Sequence, residues 1–293
     1  MRSKVRASVR VAAAQYSFST GDFTGNFETV KQASAEAIRR EIDVLVFPEL
    51  TLTGMVAPER VPELALPAHS DELRELAAIT ATGPSMSIGF IEHGANQLFY
   101  NSQAYLEDGA IKHVQRKIYL PGYGMFDESR SFASGETYGA FDTKHGRCAV
   151  LICEDAWHTS LPYAASADGA TMLFTSAASP AGGTSADLTS EELWLTVNRA
   201  TAVTLKCCSV FANRVGSDRH LNYWGGSHII APSGRIMAQG SPDAEELVIA
   251  DIDLMNIAIE RHNYRYVQDE RLDLTIRELK RIGAQRWKAQ RQE

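Results

Sequence analysis

Cysteine is scarce in this chain, and none of it is arranged for metal or redox work. Only Cys148, Cys153, Cys207 and Cys208 occur among 293 residues, and no two form a Cys-x-x-Cys pair. Zinc sites and dithiol motifs of the usual spacing are thereby excluded. Cys207 and Cys208 are adjacent in a strand-like run, so they should face opposite sides as core fillers. That usage suits a reducing compartment. No apolar run approaches the roughly 20 residues that cross a bilayer. The basic start, Met1 to Ser8, has no apolar core of the signal-peptide kind, so a cytoplasmic location is expected. Positive charge is in short supply too: 29 Lys and Arg stand against 36 Asp and Glu, a net charge of −7. That leaves no electrostatic footprint for nucleic acid and favours small-molecule or protein partners. Gly-x-Ser-x-Gly and phosphate-loop patterns are missing, and no cofactor is expected. No Gly/Ser linker, composition shift or repeat divides the chain.

What is present is an alternation of strands and helices. Val9 to Gln15 and Asp43 to Phe47 read as strands around a helix from about Asn26, its expected N-cap, to Arg40. This β-α-β start implies a parallel pair. A helix opens at Ser70 or Asp71, a strand follows at Met86 to Ile91, and Glu107-Asp108-Gly109 turns a hairpin from Leu98 to Arg116. Tyr119 to Gly135 is a long loop rich in aromatics, a length that is usually functional. Strands are predicted at Tyr138 to Asp142, Cys148 to Ile152, Ala170 to Phe174 and Ser209 to Ala212. A helix is predicted over Asp187 to Leu205. Strand pairs then precede helices near Asp253 and from Asp269 to about Lys288. The sum is one α/β unit with a mixed sheet.

Three reactive residues stand at the ends of strands or their connections: Glu49 after Val44 to Pro48, Lys117 after Val114 to Arg116, and Cys153 after Ala149 to Ile152. In α/β sheets such ends frame the ligand crevice. The unbroken apolar run before Cys153 predicts a strand covered on both faces, followed by an abrupt turn, with Thr159 or Ser160 capping a helix. Backbone N–H groups at such a turn lower a thiol pKa or bind an oxyanion. A buried structural cysteine is the plainer reading of Cys153 taken alone. Cys153, Glu154, Asp155 and His158 lack the spacing of a metal-ligand set, so no metal is expected. A Cys153–His158 pair is a minor alternative.

Phe47-Pro48-Glu49, Arg116-Lys117 with Leu120-Pro121, and Ile152-Cys153-Glu154-Asp155 resemble the three signatures of the nitrilase, or carbon–nitrogen hydrolase, superfamily. The likeness continues through Asn198-Arg199-Ala200, Asn213 to Gly216 and Gly226 to Gly234, so it runs from about Val9 to Leu279. It implies an αββα sandwich that pairs with a second copy into a larger layered dimer. It also implies Cys153 as nucleophile, Glu49 as general base, Lys117 facing the oxyanion with the Glu154 backbone N–H, and Glu128 as a second carboxylate that positions Lys117 and the substrate. The activity implied is hydrolysis of a small linear amide to an acid and ammonia through a thioester. A nitrilase, a stand-alone glutaminase subunit and a binding protein on the same fold are the alternatives. The intact Glu49, Lys117 and Cys153 speak against the last.

Within the superfamily, Cys153 to Trp157 and the stretch Leu120 to Glu128 look most like the glutaminase domain of glutamine-dependent NAD synthetases. Tyr123, Phe126, Glu154 and Trp157 are the expected substrate contacts. The chain departs from that branch at Met55, where a pocket tyrosine is usual. It departs again after Ser179-Pro180, where Ala181-Gly182-Gly183 replaces a Gly-Lys and a later arginine. No ATP-pyrophosphatase domain is expected to receive ammonia. An uncharged amide is therefore expected rather than glutamine. The chain divides into a hydrolase domain at 1–270 and a helical extension at 271–293. Leu274, Ile276, Leu279, Ile282 and Trp287 mark that extension as a subunit interface of a homodimer or larger assembly.

Overall fold

The computed structural model describes residues 8–124, 126–182, 187–218 and 221–290, with side chains as far as residue 286. The first strand shows why the fold has four layers. Val9, Val11 and Ala13 of β1 (Ser8–Gln15) enter one apolar core, while Ala12 and Ala14 enter another on the opposite face. Period-2 alternation with apolar side chains on both faces requires a cover on each side.

The first sheet has the order β14-β1-β2-β3-β4-β5. It comprises β2 (Val44–Val46), β3 (Ser85–His93), β4 (Phe99–Glu107), β5 (Ala110–Arg116) and the late strand β14 (Glu246–Asp253) beside β1. β1, β2 and β3 are parallel, whereas β14, β4 and β5 run against their neighbours. Helices α1 (Phe23–Arg39) and α3 (Asp71–Ile79) cover its outer face through Val30, Ala33, Ala37, Leu73 and Leu76. A single turn, α2 (Val61–Leu64), precedes α3.

The second sheet has the order β13-β12-β9-β8-β7-β6. Its strands are β6 (Phe141–Thr143), β7 (Gly146–Ile152), β8 (Met172–Ala177), β9 (Cys208–Asn213), β12 (His228–Ile230) and β13 (Ile236–Gln239). Cys148, Val150 and Ile152 meet the first sheet; Ala149 and Leu151 meet α4 (Ser160–Ala167) and α5 (Ser190–Leu205). The hairpin β10 (Val215–Asp218) and β11 (Leu221–Trp224) stands apart from both sheets. Helix, sheet, sheet and helix give the αββα sandwich. Cys207 and Cys208 fall in different cores, as their adjacency requires.

Several boundaries differ from the sequence reading, each for a local reason. Helix α1 begins four residues early, because the Asp22 side chain accepts from Gly25 N; Asn26 lies inside the helix and its side chain binds Ser19. Helix α5 begins at Ser190 rather than Asp187, closed by a Thr189–Glu192 capping box. Thr159 precedes α4 without a side-chain cap bond. Strand β6 pairs only from Phe141 to Thr143, not from Tyr138. The β10–β11 hairpin carries no strong alternation and was missed.

Beyond the sandwich lie α6 (Leu254–Asn263) and α7 (Leu272–Gln290). Leu272, Leu274, Ile276, Leu279 and Ile282 of α7 are exposed. The side chain of Trp287 lies outside the described residues. No helix among the described residues is long and apolar enough to cross a membrane.

Candidate active site

Four strand ends deliver the site. β5 runs parallel to β2 and β3, since two antiparallel steps restore direction, so Lys117 emerges on the same side as Glu49. Cys153 follows β7 directly, and Ala178 follows β8. All four positions are carboxyl ends of strands, where α/β folds place their crevices.

Glu49 reaches its place by crossing β3 closely. A Cβ at Gly89 would lie 2.4 Å from Leu50 N and 2.7 Å from Pro48 O, so only glycine admits the segment. Leu52 N then binds Gly89 O at 3.0 Å. The Glu49 carboxylate is fixed on both oxygens. Oε1 accepts from Asn101 Nδ2 at 2.8 Å and Lys117 Nζ at 2.7 Å; Oε2 accepts from Ala178 N at 3.1 Å. Lys117 Nζ also donates to Glu128 Oε1 at 2.8 Å. Lys117, Glu49 and Glu128 are all buried. Burial alone would lower the Lys117 pKa, but the Glu49 and Glu128 charges more than offset it and raise it. The ammonium therefore stays charged. Glu128 is pushed up to about 7 by burial, with Glu49 adding and Lys117 opposing. Its Oε2 is buried without a hydrogen-bond partner.

Cys153 has φ +47°, a left-handed backbone that costs a non-glycine residue roughly 1–2 kcal/mol. It opens a short 3-10 helix, Cys153–Trp157. The fixing residue is Asp155, fully buried. Its Oδ1 accepts from Ile118 N at 3.0 Å and Tyr119 N at 2.9 Å, and its Oδ2 from Ile152 N at 3.2 Å. One carboxylate thus ties the cysteine turn to the backbone just past Lys117. Burial lifts its pKa to about 6 against the pull of those N–H groups. The Cys153 thiol is not acidified as a turn position would suggest. Burial and then Glu49 push it well above its ordinary value, with Lys117 opposing. Strain held at such a turn is typical of sites where one atom must be aimed.

These groups surround a cavity of about 250 Å³. Glu49, Glu128 and Cys153 line it, as do Tyr123, Phe126, Glu154 and Trp157; Lys117 is bonded to two of its carboxylates. All eight sequence candidates are therefore brought together. Tyr123 OH donates to Glu154 Oε2 at 2.7 Å. His158 does not face the cysteine: it stacks on Tyr119 with centroids 3.4 Å apart and lies 3.5 Å from Glu154 Oε1. No Arg or His is among the described residues that line the cavity, and Arg199 instead donates to Gly234 O at 3.2 Å.

The sequence reading missed Asn101, Asp155 in its anchoring role, and Ser179. Asn101 had a signal, the polar run Asn101-Ser102-Gln103 inside a strand, all of it buried. Asp155 had none beyond its motif, since its partners are backbone groups distant in sequence.

Comparison with known proteins identifies the family. A family model described as Carbon-nitrogen hydrolase matches residues 10–259. A glutamine-dependent NAD(+) synthetase of Thermotoga maritima is 31% identical over 269 residues, 89% of this chain and 46% of the synthetase. The chain thus spans about half the length of that relative. An N-carbamoylputrescine amidase of Solanum lycopersicum is 26% identical over 91% of this chain and 93% of its own length. Among solved structures, a carbon-nitrogen hydrolase of Helicobacter pylori superposes with TM-score 0.80 at 21% identity, covering 91% of this chain and 96% of that one, a likeness of fold. With a family match over most of its length, this chain belongs to the carbon-nitrogen hydrolase family.

Proposed function

We propose that the protein is a cysteine amidase that hydrolyses a small, uncharged linear amide to a carboxylic acid and ammonia. The observation that carries this reading is the bridged Lys117 ammonium, 2.7 Å from Glu49 and 2.8 Å from Glu128, beside a cysteine held in a left-handed turn. The thiol is protonated at rest, so attack needs a base. Glu49 takes the thiol proton as Sγ bonds to the amide carbon. Negative charge develops on the carbonyl oxygen, toward Lys117 Nζ and the Glu154 backbone N–H. Glu49 returns the proton to the nitrogen, the C–N bond breaks, and ammonia leaves a thioester. Water, deprotonated by Glu49, then attacks the thioester; the acid departs and the thiol is restored. Glu128 Oε2, buried and unpartnered, is an acceptor for the substrate amide N–H.

An uncharged substrate is supported by electrostatics. Glu49, Glu128 and Glu154 all line the cavity, and among the described residues Lys117 is the cation that bonds Glu49 and Glu128. A substrate carboxylate would lose hydration, with no Lys, Arg or His among the described lining residues to replace it. The N-terminus of α5, which borders the cavity at Ser190, is already closed by the Glu192 carboxylate. A glutaminase is the second reading, favoured by the likeness to the NAD synthetase. Ammonia release from glutamine and from neutral short-chain amides, with Cys153→Ala as control, separates the two. Glutamine leading clearly in kcat/KM would refute the uncharged-substrate reading, and residual turnover in Cys153→Ala above a few per cent would refute the nucleophile. The exposed apolar stripe of α7 is part of the same proposal, as the contact between copies of this chain.

A further inference from the structure

The cavity also presents an apolar wall, Met55, Phe126, Trp157, Leu193 and Trp194, with the hydroxyls of Ser179 and Ser190 beside it. Trp157 meets Trp194 edge to face at 4.9 Å, and Trp194 continues onto Phe211 at 4.8 Å. Phe211 in turn stacks on Trp224 at 5.8 Å and His228 at 4.7 Å, so the wall is the front of an aromatic stack that runs into the core.

Among the described residues, the side-chain polar groups on this side already hold hydrogen bonds. The indole N–H groups of Trp194 and Trp224 both donate to Ser179 Oγ, at 3.0 and 3.3 Å. Ser190 Oγ donates to Gly182 O at 2.8 Å, and Tyr123 OH to Glu154. A polar tail on the substrate would have to break one of these bonds or remain unpaired, and either outcome costs affinity. An apolar tail meets neither penalty. At about 250 Å³ the space is below the ~300–1,000 Å³ of drug-sized pockets, which limits the tail to a short chain or one ring.

We infer that the acyl part of the substrate is apolar, a short alkyl chain or single aryl ring, and that Trp157, Leu193 and Trp194 with Met55 and Phe126 are its specificity-determining contacts. This deepens the amidase reading and rests on it. The test is kcat/KM for propanamide, pentanamide, phenylacetamide and succinamate, the last placing a carboxylate near the end of the pentanamide chain. Each covered methylene should raise kcat/KM by ~4-fold, so pentanamide should lead propanamide by roughly 15-fold and succinamate should trail both. Leu193→Arg should lower pentanamide and raise succinamate. A series that is flat or falls with chain length, or succinamate matching pentanamide in the unaltered protein, overturns the inference while leaving the amidase intact. Should no amide be hydrolysed, the amidase reading falls on its own. Calorimetry on Cys153→Ala then decides the wall: pentanamide binding more tightly than succinamate upholds it, and the reverse order overturns it.

Discussion

Replacing Glu128 by glutamine should change how the stability of this protein depends on pH. The cluster at Lys117 holds two carboxylates against one ammonium, all buried, so one negative charge is in excess. That excess appears as the Glu128 pKa, raised from 4.5 to about 7 by burial and by Glu49, despite Lys117. In the unfolded chain the same carboxyl ionises near 4.5, so between about pH 4.5 and 7 the folded state binds more protons than the unfolded one. Stability then falls as pH rises through that window, and the cost is fully present above pH 7. Each pKa unit corresponds to about 1.4 kcal/mol, so the loss attached to this group is on the order of 3 kcal/mol. Because Glu49 and Glu128 share one cation, this is the cost of the pair's last ionisation rather than of one atom. Glu128→Gln keeps an oxygen that can accept from Lys117 and removes the excess charge. Urea unfolding at pH 5, 6, 7 and 8 would measure it. The difference between variant and parent should grow by about 2.5 kcal/mol in favour of the variant from pH 5 to 8, while turnover falls. Parallel curves across that range would refute the excess-charge account.

Four further outcomes are expected. Lys117→Arg should lose about 10²–10³ in kcat, because a planar fork cannot take the place of a compact ammonium held between two carboxylates; near-normal turnover in a steady-state assay would contradict its role. Asp155→Asn should destabilise by roughly 1.5–3 kcal/mol in urea melts, since its amide NH₂ must face either the Ile152 N–H or those of Ile118 and Tyr119. Cys153→Gly should be more stable than Cys153→Ala by about 1 kcal/mol, as glycine alone adopts φ +47° without penalty; equal midpoints would mean the turn is unstrained. Light scattering at micromolar concentration should find a homodimer or larger, and Leu279→Glu, on the exposed face of α7, should shift it toward monomer; a monomeric parent protein would end the assembly proposal.

What the sequence by itself determined depends on neighbours along the chain. The unbroken apolar run Ala149 to Ile152 implies a strand covered on both faces, because a strand turns its side chains over every residue. The β-α-β order around α1 sets the parallel start of the first sheet. The polar residues ending those strands, Glu49, Lys117 and Cys153, were legible because strand ends in such a fold converge. The likeness to a known family made their grouping readable before any coordinate. The limits were local as well: Asp22 rather than Asn26 caps α1, and Ser190 rather than Asp187 begins α5, because caps depend on single side-chain bonds.

Only the tertiary structure decided the rest, since it depends on groups far apart in the chain. Asp155 holds the cysteine turn through backbone N–H groups 36 and 37 residues upstream. Ala178 N lies 129 residues from the carboxylate it binds, and Gly89 is what lets Glu49 cross its strand. The direction of the thiol shift was likewise unreadable: a turn position argues for acidity, but burial beside Glu49 reverses it. The apolar wall belongs here too. Trp157 and Trp194 come from separate elements, and only packing turns both against one cavity and directs two indole N–H groups onto a single serine oxygen.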